Sequence, residues 1–202
     1  GNPVVIPGME VQSAEDIHVV VLFPDMEAAE SYQCWLWKRM PRRGNRPEIF
    51  GDQLIIDSKN AILGEQETLL IQGAGYSVDE VASEACGRGY LVVLAHVDRP
   101  FFSYESVLGP VPEDFPCHAL ELSAAVNRSS FGSWKKRYPR RLFLRSSDSH
   151  RLSQISRDRG TCMLLQAPSF GELRLAFSGQ DGRRVFSPWE DVPSPCRSSS
   201  SA

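Results

Sequence analysis

No stretch of this sequence approaches the roughly 18 consecutive apolar residues that a membrane-crossing helix needs. No basic segment followed by an apolar run stands at the start, so nothing reads as a secretory signal. There is no C-x-x-C pair, and the five cysteines are widely spaced and odd in number. That excludes a zinc ribbon and a disulfide framework, and leads us to expect reduced, mostly buried thiols in a cytoplasmic protein. An excess of positive charge is also missing. Lys and Arg total 22 against 25 Asp and Glu, a net charge of -3, which argues against a protein that coats nucleic acid or anionic lipid. No internal repeat is visible. The tripeptide Asn127-Arg128-Ser129 matches a glycosylation sequon, but carries no weight in a cytoplasmic chain.

What is present is the material of a single α/β domain. The 202 residues suffice for one full core and a tail. "DIHVVVLF" and "LVVLAH" are continuous apolar runs, expected as strands buried on both faces. Pro24-Asp25 opens a helix in which Ala28, Tyr32, Trp35 and Leu36 recur at helical spacing. Ser77 and Glu80 predict a capping box at the head of "YSVDEVASEACGRGY", which Gly87 and Gly89 end. "GDQLIID" and "AILGE" predict a hairpin near residues 50–65, a lid or an edge decoration. "ALELS" and "RLFLRSSDSH" read as short strands, and "SFGELRLAFSG" as a last helix capped by Ser169 and Glu172. The domain is expected over residues 1–186, and the Pro- and Ser-rich residues 187–202 are expected to fray. The chain starts without Met inside what reads as a strand, so a fragment or a trimmed form is expected.

Three of the four histidines stand at or near strand ends. His96 closes "LVVLAH", His18 opens "HVVVLF", and His150 follows "FLRSSDS", with Asp148 two residues before it. Glu10 lies at the exit of "VVIPGM". Imidazole and carboxylate together suit zinc, iron or manganese. A single histidine at a strand end is more often a structural, hydrogen-bonded residue, and it is the group of three, with two carboxylates, that points to a metal. His118 fits no pattern and is expected to be structural or at the surface. "GAGYSVDE" lacks the third glycine of a dinucleotide-binding turn.

"VIPGMEVQSAEDIHVVVLF", "LVVLAHVDRP" and "SSDSH" resemble successive motifs of the PHP family (polymerase and histidinol phosphatase domains). The resemblance runs from residue 2 to about residue 180. It implies a distorted (β/α)7 barrel, here incomplete, and a cluster of two or three divalent metal ions (Zn, Mn or Fe). It further implies a phosphoesterase in which a hydroxide between two metals attacks phosphorus. By that resemblance Glu10 bridges two metals and His18 and His96 are further ligands. Asp148 binds a neighbouring ion, and His150 is a ligand or an acid–base group. The family's opening His-x-His motif and its Thr-Asp-His motif are absent, so the first two β/α units are expected to be missing.

Arg99, three residues after His96, is placed to grip a phosphate oxygen; the plainer alternative is a salt bridge to Asp98 or a loop carboxylate. Asp98 is a candidate for orienting a ligand histidine. The basic runs at 38–46 and 135–141 are solvated faces or a path for a phosphate-rich substrate, a small molecule or an oligonucleotide. Two further readings stand beside the phosphoesterase. One is a non-catalytic binding or regulatory domain, or an inactive fragment, on the same scaffold. The other is a barrel metallohydrolase acting on C–N bonds.

Overall fold

The computed structural model describes residues 3–190. A five-stranded sheet forms the centre, in the order β1 (Gly8–Gln12), β2 (His18–Leu22), β5 (Leu91–Leu94), β6 (Ala119–Leu122), β7 (Phe143–Arg145). β1 and β2 pair antiparallel, as do β2 and β5, whereas β5, β6 and β7 are parallel. Strands β1, β5, β6 and β7 therefore run one way and β2 runs back. The start of β2 lies at the same end of the sheet as the ends of the other four.

This is a mixed α/β fold, and the expected barrel is not closed. Among the described residues the sheet is open, with β1 and β7 at its edges. Five strands are fewer than the roughly eight that close around a filled interior.

The core lies on one face of the sheet. Val11, Val19, Val21, Val92 and Leu94 pack there against Tyr32 and Leu36 of helix α1 (Met26–Leu36) and against Val78, Val81 and Ala85 of α3 (Val78–Gly87). Asp25 caps α1 by accepting from the Ala28 N–H, and the Ser77–Glu80 capping box forms as expected. β5 is buried on both faces, but β2 is not: Val19 and Val21 are buried while His18, Val20 and Leu22 are half-buried. Its second face is shared with Glu10, which pairs in register with Val20, so that side of the sheet stays partly open. Two of the cysteines expected to be buried, Cys34 and Cys162, are exposed; Cys86 and Cys117 are half-buried.

The hairpin forms as β3 (Leu54–Ile56) and β4 (Ile62–Glu65), preceded by the short α2 (Pro47–Phe50), and it pairs with no strand of the central sheet. Gly75, in the motif that resembled a nucleotide-binding turn, sits at φ +72, where a Cβ would collide with the Arg39 carbonyl. Its glycine serves chain packing.

Three helices have no counterpart in the sequence reading: α2, α4 (Tyr104–Leu108) and α5 (Arg128–Arg137). α5 starts at the apparent sequon, where the Asn127 side chain accepts from the Ser129 and Ser130 N–H groups. The chain continues into β8 (Met163–Leu164), α6 (Phe170–Ser178) and β9 (Arg184–Val185), a small separate ladder with its helix. Of the expected tail, residues 187–190 are described, and Trp189 packs on Phe131 at 5.3 Å between ring centroids. Residues 191–202 lie outside the described part.

Candidate metal centre

The reversal of β2 brings three of the expected ligands together. Glu10 and His18 project from the same face of the β1–β2 pair, since residues opposite in register or two apart share a face. His96 stands just beyond the end of β5, next to the start of β2, where the Ala95 N–H donates to the His18 carbonyl at 3.2 Å. His18 Nδ1 lies 3.3 Å from Glu10 Oε1 and 3.3 Å from His96 Nε2, and His96 Nε2 lies 3.5 Å from Glu10 Oε1.

The triangle fits a divalent ion. Around a zinc-sized ion with bonds of ~2.1 Å, tetrahedral ligand atoms stand about 3.4 Å apart. Two imidazole nitrogens and one carboxylate oxygen are a donor set shared by zinc, manganese and iron. Glu10, His18 and His96 are the cluster among the described residues in which three such donors converge. His96 is buried and its Nδ1 has no hydrogen-bond partner, so the ring gains nothing from the protein at that atom. Hydrogen bonds with His18, then with His96, hold the Glu10 carboxyl well below the usual carboxylate range, and burial opposes this only in part. Glu10 is thus anionic at neutral pH.

Two loop residues around this triangle have positive φ without being glycine. His96 sits at φ +31 and Phe102 at φ +59. Such conformations persist when neighbours hold them. Glu121 holds His96: its Oε2 accepts from the His96 N–H at 3.1 Å and its main-chain oxygen from the Val97 N–H at 2.9 Å. Phe102 is held by its carbonyl, which accepts from the His18 N–H at 3.0 Å.

Asp148 and His150 do not join the triangle. Asp148, at φ +43 beyond β7, accepts from Arg99 Nη2 at 2.5 Å, and His150 Nε2 lies 3.5 Å from its other oxygen. His150 is the most exposed of the site histidines, with 80% of its side chain accessible. Arg99 therefore has a loop carboxylate as partner, and that carboxylate is Asp148. Asp98 does not reach a ligand histidine; it accepts from the N–H and the hydroxyl of Ser123 at 2.7 and 2.6 Å. His118 is at the surface and also tied to the sheet: its Nδ1 accepts from the Val92 N–H at 3.0 Å, and partial desolvation of the ring pushes its pKa down.

The basic run at 135–141 is largely committed elsewhere. Arg137 pairs with Glu105 and Arg140 with Glu113, and Arg141 donates to the carbonyls of Pro112, Glu113, Phe115 and Cys117.

Glu121 and Ser146 are the site residues that sequence reasoning missed. Glu121 accepts from the Ser146 hydroxyl, and Ser146 Oγ in turn accepts from the Asp148 N–H at 3.3 Å. The chain of contacts links the end of β5 to the end of β7. Its one sequence signal was a carboxylate inside the otherwise apolar strand "ALEL".

No protein-family model matches the sequence. The chain is 27% identical over 177 residues to the uncharacterized protein YqxK of Bacillus subtilis strain 168, a match covering 84% of this chain and 38% of that protein. Its structure is similar to the crystal structure of the lesion-specific endonuclease PfuEndoQ from Pyrococcus furiosus, with a TM-score of 0.60 and 18% identity over 87% of this chain and 39% of that one. It is also similar to Endonuclease Q in complex with a 27-mer duplex substrate carrying an abasic lesion at the active site, with a TM-score of 0.54 and 15% identity over 88% and 40%. The chain spans about two fifths of the length of each of these proteins. The likeness shows the fold: a mixed α/β chain that is similar, over most of its length, to part of Endonuclease Q.

Proposed function

We infer that this chain carries part of the metal centre of a PHP-type phosphoesterase, and that the protein it represents hydrolyses a phosphodiester in nucleic acid. The observation that carries the reading is the convergence of Glu10, His18 and His96 at one end of the sheet, in a fold similar to a nuclease. The incomplete barrel belongs to the same reading: further strands would cover the half-open face of β1 and β2. A bound divalent ion would supply charge neutralisation at phosphorus and a lowered pKa for water.

The chain's own residues have distinct tasks. Glu10 contributes a negative charge and sets a carboxylate oxygen 3.3 Å from His18 Nδ1 and 3.5 Å from His96 Nε2. His96, clamped by Glu121, presents Nε2 from a buried position and so fixes one direction of the site. Arg99 is 43% exposed in its pair with Asp148, so its guanidinium can exchange that carboxylate for a phosphate oxygen. Asp148 and His150 would then be free to act, Asp148 as a ligand and His150 as a ligand or a proton carrier.

The Arg99–Asp148 pair also favours a second reading, a binding or regulatory domain without catalysis. A carboxylate held at 2.5 Å by an arginine is a poorer ligand than a free one.

The test is to load the full reading frame that contains this chain with Mn, Fe or Zn in turn. Cleavage of a duplex oligonucleotide with an abasic site and of a phosphomonoester is then measured. Cleavage of the oligonucleotide with at least one metal supports the enzyme. Metal uptake without cleavage of either ester supports the binding domain.

A further inference from the structure

Phe101 and Phe102 follow Arg99 and Pro100 in the loop that leads away from His96. They are 72% and 45% exposed. A single exposed aromatic is ordinary. Here two adjacent ones stand in the loop that follows His96; one of them, Phe102, stacks on the candidate ligand His18 and occupies a backbone conformation that bulky residues rarely adopt. That conformation has two consequences. The Phe102 carbonyl turns back to accept from the His18 N–H at 3.0 Å. The Phe102 ring comes to lie nearly parallel to the His18 ring, with centroids 4.9 Å apart and planes 17° apart. No other aromatic ring among the described residues stacks on Phe101 or Phe102.

We propose that Phe101 and Phe102 form a stacking platform for one unpaired nucleobase of a nucleic-acid strand whose phosphate lies at the Glu10–His18–His96 centre. This rests on the nuclease reading above and adds to it the residues that grip the base. Nucleobases offer a π-face whatever their sequence, and aromatic side chains beside a cationic groove bind them through it. Arg99, two residues before Phe101, supplies the positive charge for the backbone phosphate that such a base carries. Phe102 keeps the His18 ring in place from one side. Phe101, the freer of the two, presents its ring to the incoming base. A paired base inside a duplex has no free face, so the platform selects single strands, gaps and extruded nucleotides.

The test uses the full chain with Mn and a single-stranded oligonucleotide that carries one 2-aminopurine and a phosphorothioate linkage. Titration reads both affinity and quenching of the aminopurine by stacking. Phe101→Ala is expected to weaken binding about tenfold and to abolish the quenching, and Phe101→Trp to restore both. Metal content should match the unmodified chain in both variants. Phe101 is mostly exposed, so folding is not at stake, and circular dichroism checks this.

Wild-type affinity and quenching in Phe101→Ala would overturn the platform and leave the nuclease reading standing, provided the unmodified protein cleaves its oligonucleotide. Failure of the unmodified chain to bind metal or oligonucleotide would overturn both. A change of oligomeric state in Phe101→Ala with oligonucleotide affinity intact would assign the rings to a protein contact and overturn the platform.

Discussion

The Glu121 carboxylate accepts the main-chain N–H of His96 at 3.1 Å, and so holds a non-glycine residue at positive φ with its imidazole aimed at Glu10 and His18. The same carboxylate accepts the Ser146 hydroxyl, whose oxygen accepts from Asp148. One side chain thereby sets the spacing of the two loops that carry the expected ligands. Glutamine at this place keeps one acceptor and presents an N–H₂ group to the other donor. Glu121→Gln should therefore lower divalent-metal affinity by about tenfold or more, the usual effect of losing an outer partner of a ligand. Competition with a chromogenic chelator measures it, and unchanged affinity would show that His96 holds its place without Glu121.

Arg99 and Asp148 make a partly exposed ion pair, and such pairs contribute at most about 1 kcal/mol to stability. Arg99→Gln should leave the melting temperature within a few degrees of the original. If the guanidinium grips phosphate, the same variant should raise KM for a phosphodiester about tenfold or more, with Arg99→Lys in between. A large loss of stability with unchanged kinetics would make the pair structural.

Tyr138 gives the pH dependence a defined sign. It is buried, donates to Glu105 and accepts from the Val111 N–H at 3.0 Å. Burial, with the hydrogen bond to Glu105, pushes its pKa up to about 12. The unfolded chain ionises near 10. The folded state therefore favours the protonated phenol, so this contribution is complete below about pH 10 and is lost as pH rises towards 12. Tyr138→Phe should be less stable at pH 8 but should lose less stability than the original between pH 10 and 12. Thermal melts across that range decide it, and parallel losses in the two proteins would contradict the assignment.

Cysteine reactivity should follow burial. Cys34 is exposed, whereas burial pushes the Cys117 thiol up to about 11. The thiolate is the nucleophile. Iodoacetamide at pH 8 should label Cys34 well before Cys117, as read by peptide mass spectrometry. Equal rates would mean that the loop around Cys117 opens readily.

Local chemistry was readable in the sequence wherever it is set by neighbours along the chain. The Asp25 and Ser77 caps, the hairpin around Ser58–Asn60 and the last helix after Ser169 follow from residue type and spacing. Strand direction was not readable. "HVVVL" looks the same whether it runs with its neighbours or against them, yet the antiparallel course of β2 is what brings His18 to His96. Glu121 escaped notice because its partners lie at 96 and 146, far away in sequence, and no local pattern marks a carboxylate that serves backbone N–H groups. α5 escaped because the run at 135–141 was read only for its charge, as a solvated face or a substrate path, while the stabilising cap at Asn127 looked like a sequon.

Metal content in two variants tests whether Glu10, His18 and His96 form a metal site. The chain is purified, dialysed against Mn, Fe or Zn, and analysed by inductively coupled plasma mass spectrometry, beside His96→Ala and His18→Ala. His96 is buried and its loss could disturb folding, so the half-buried His18 provides the second variant, and circular dichroism confirms the fold of each. We expect at least one tightly held ion per unmodified chain, with that ion missing from both folded variants. An unchanged metal stoichiometry in both variants, or no tightly held ion in the unmodified chain, would contradict the metal centre.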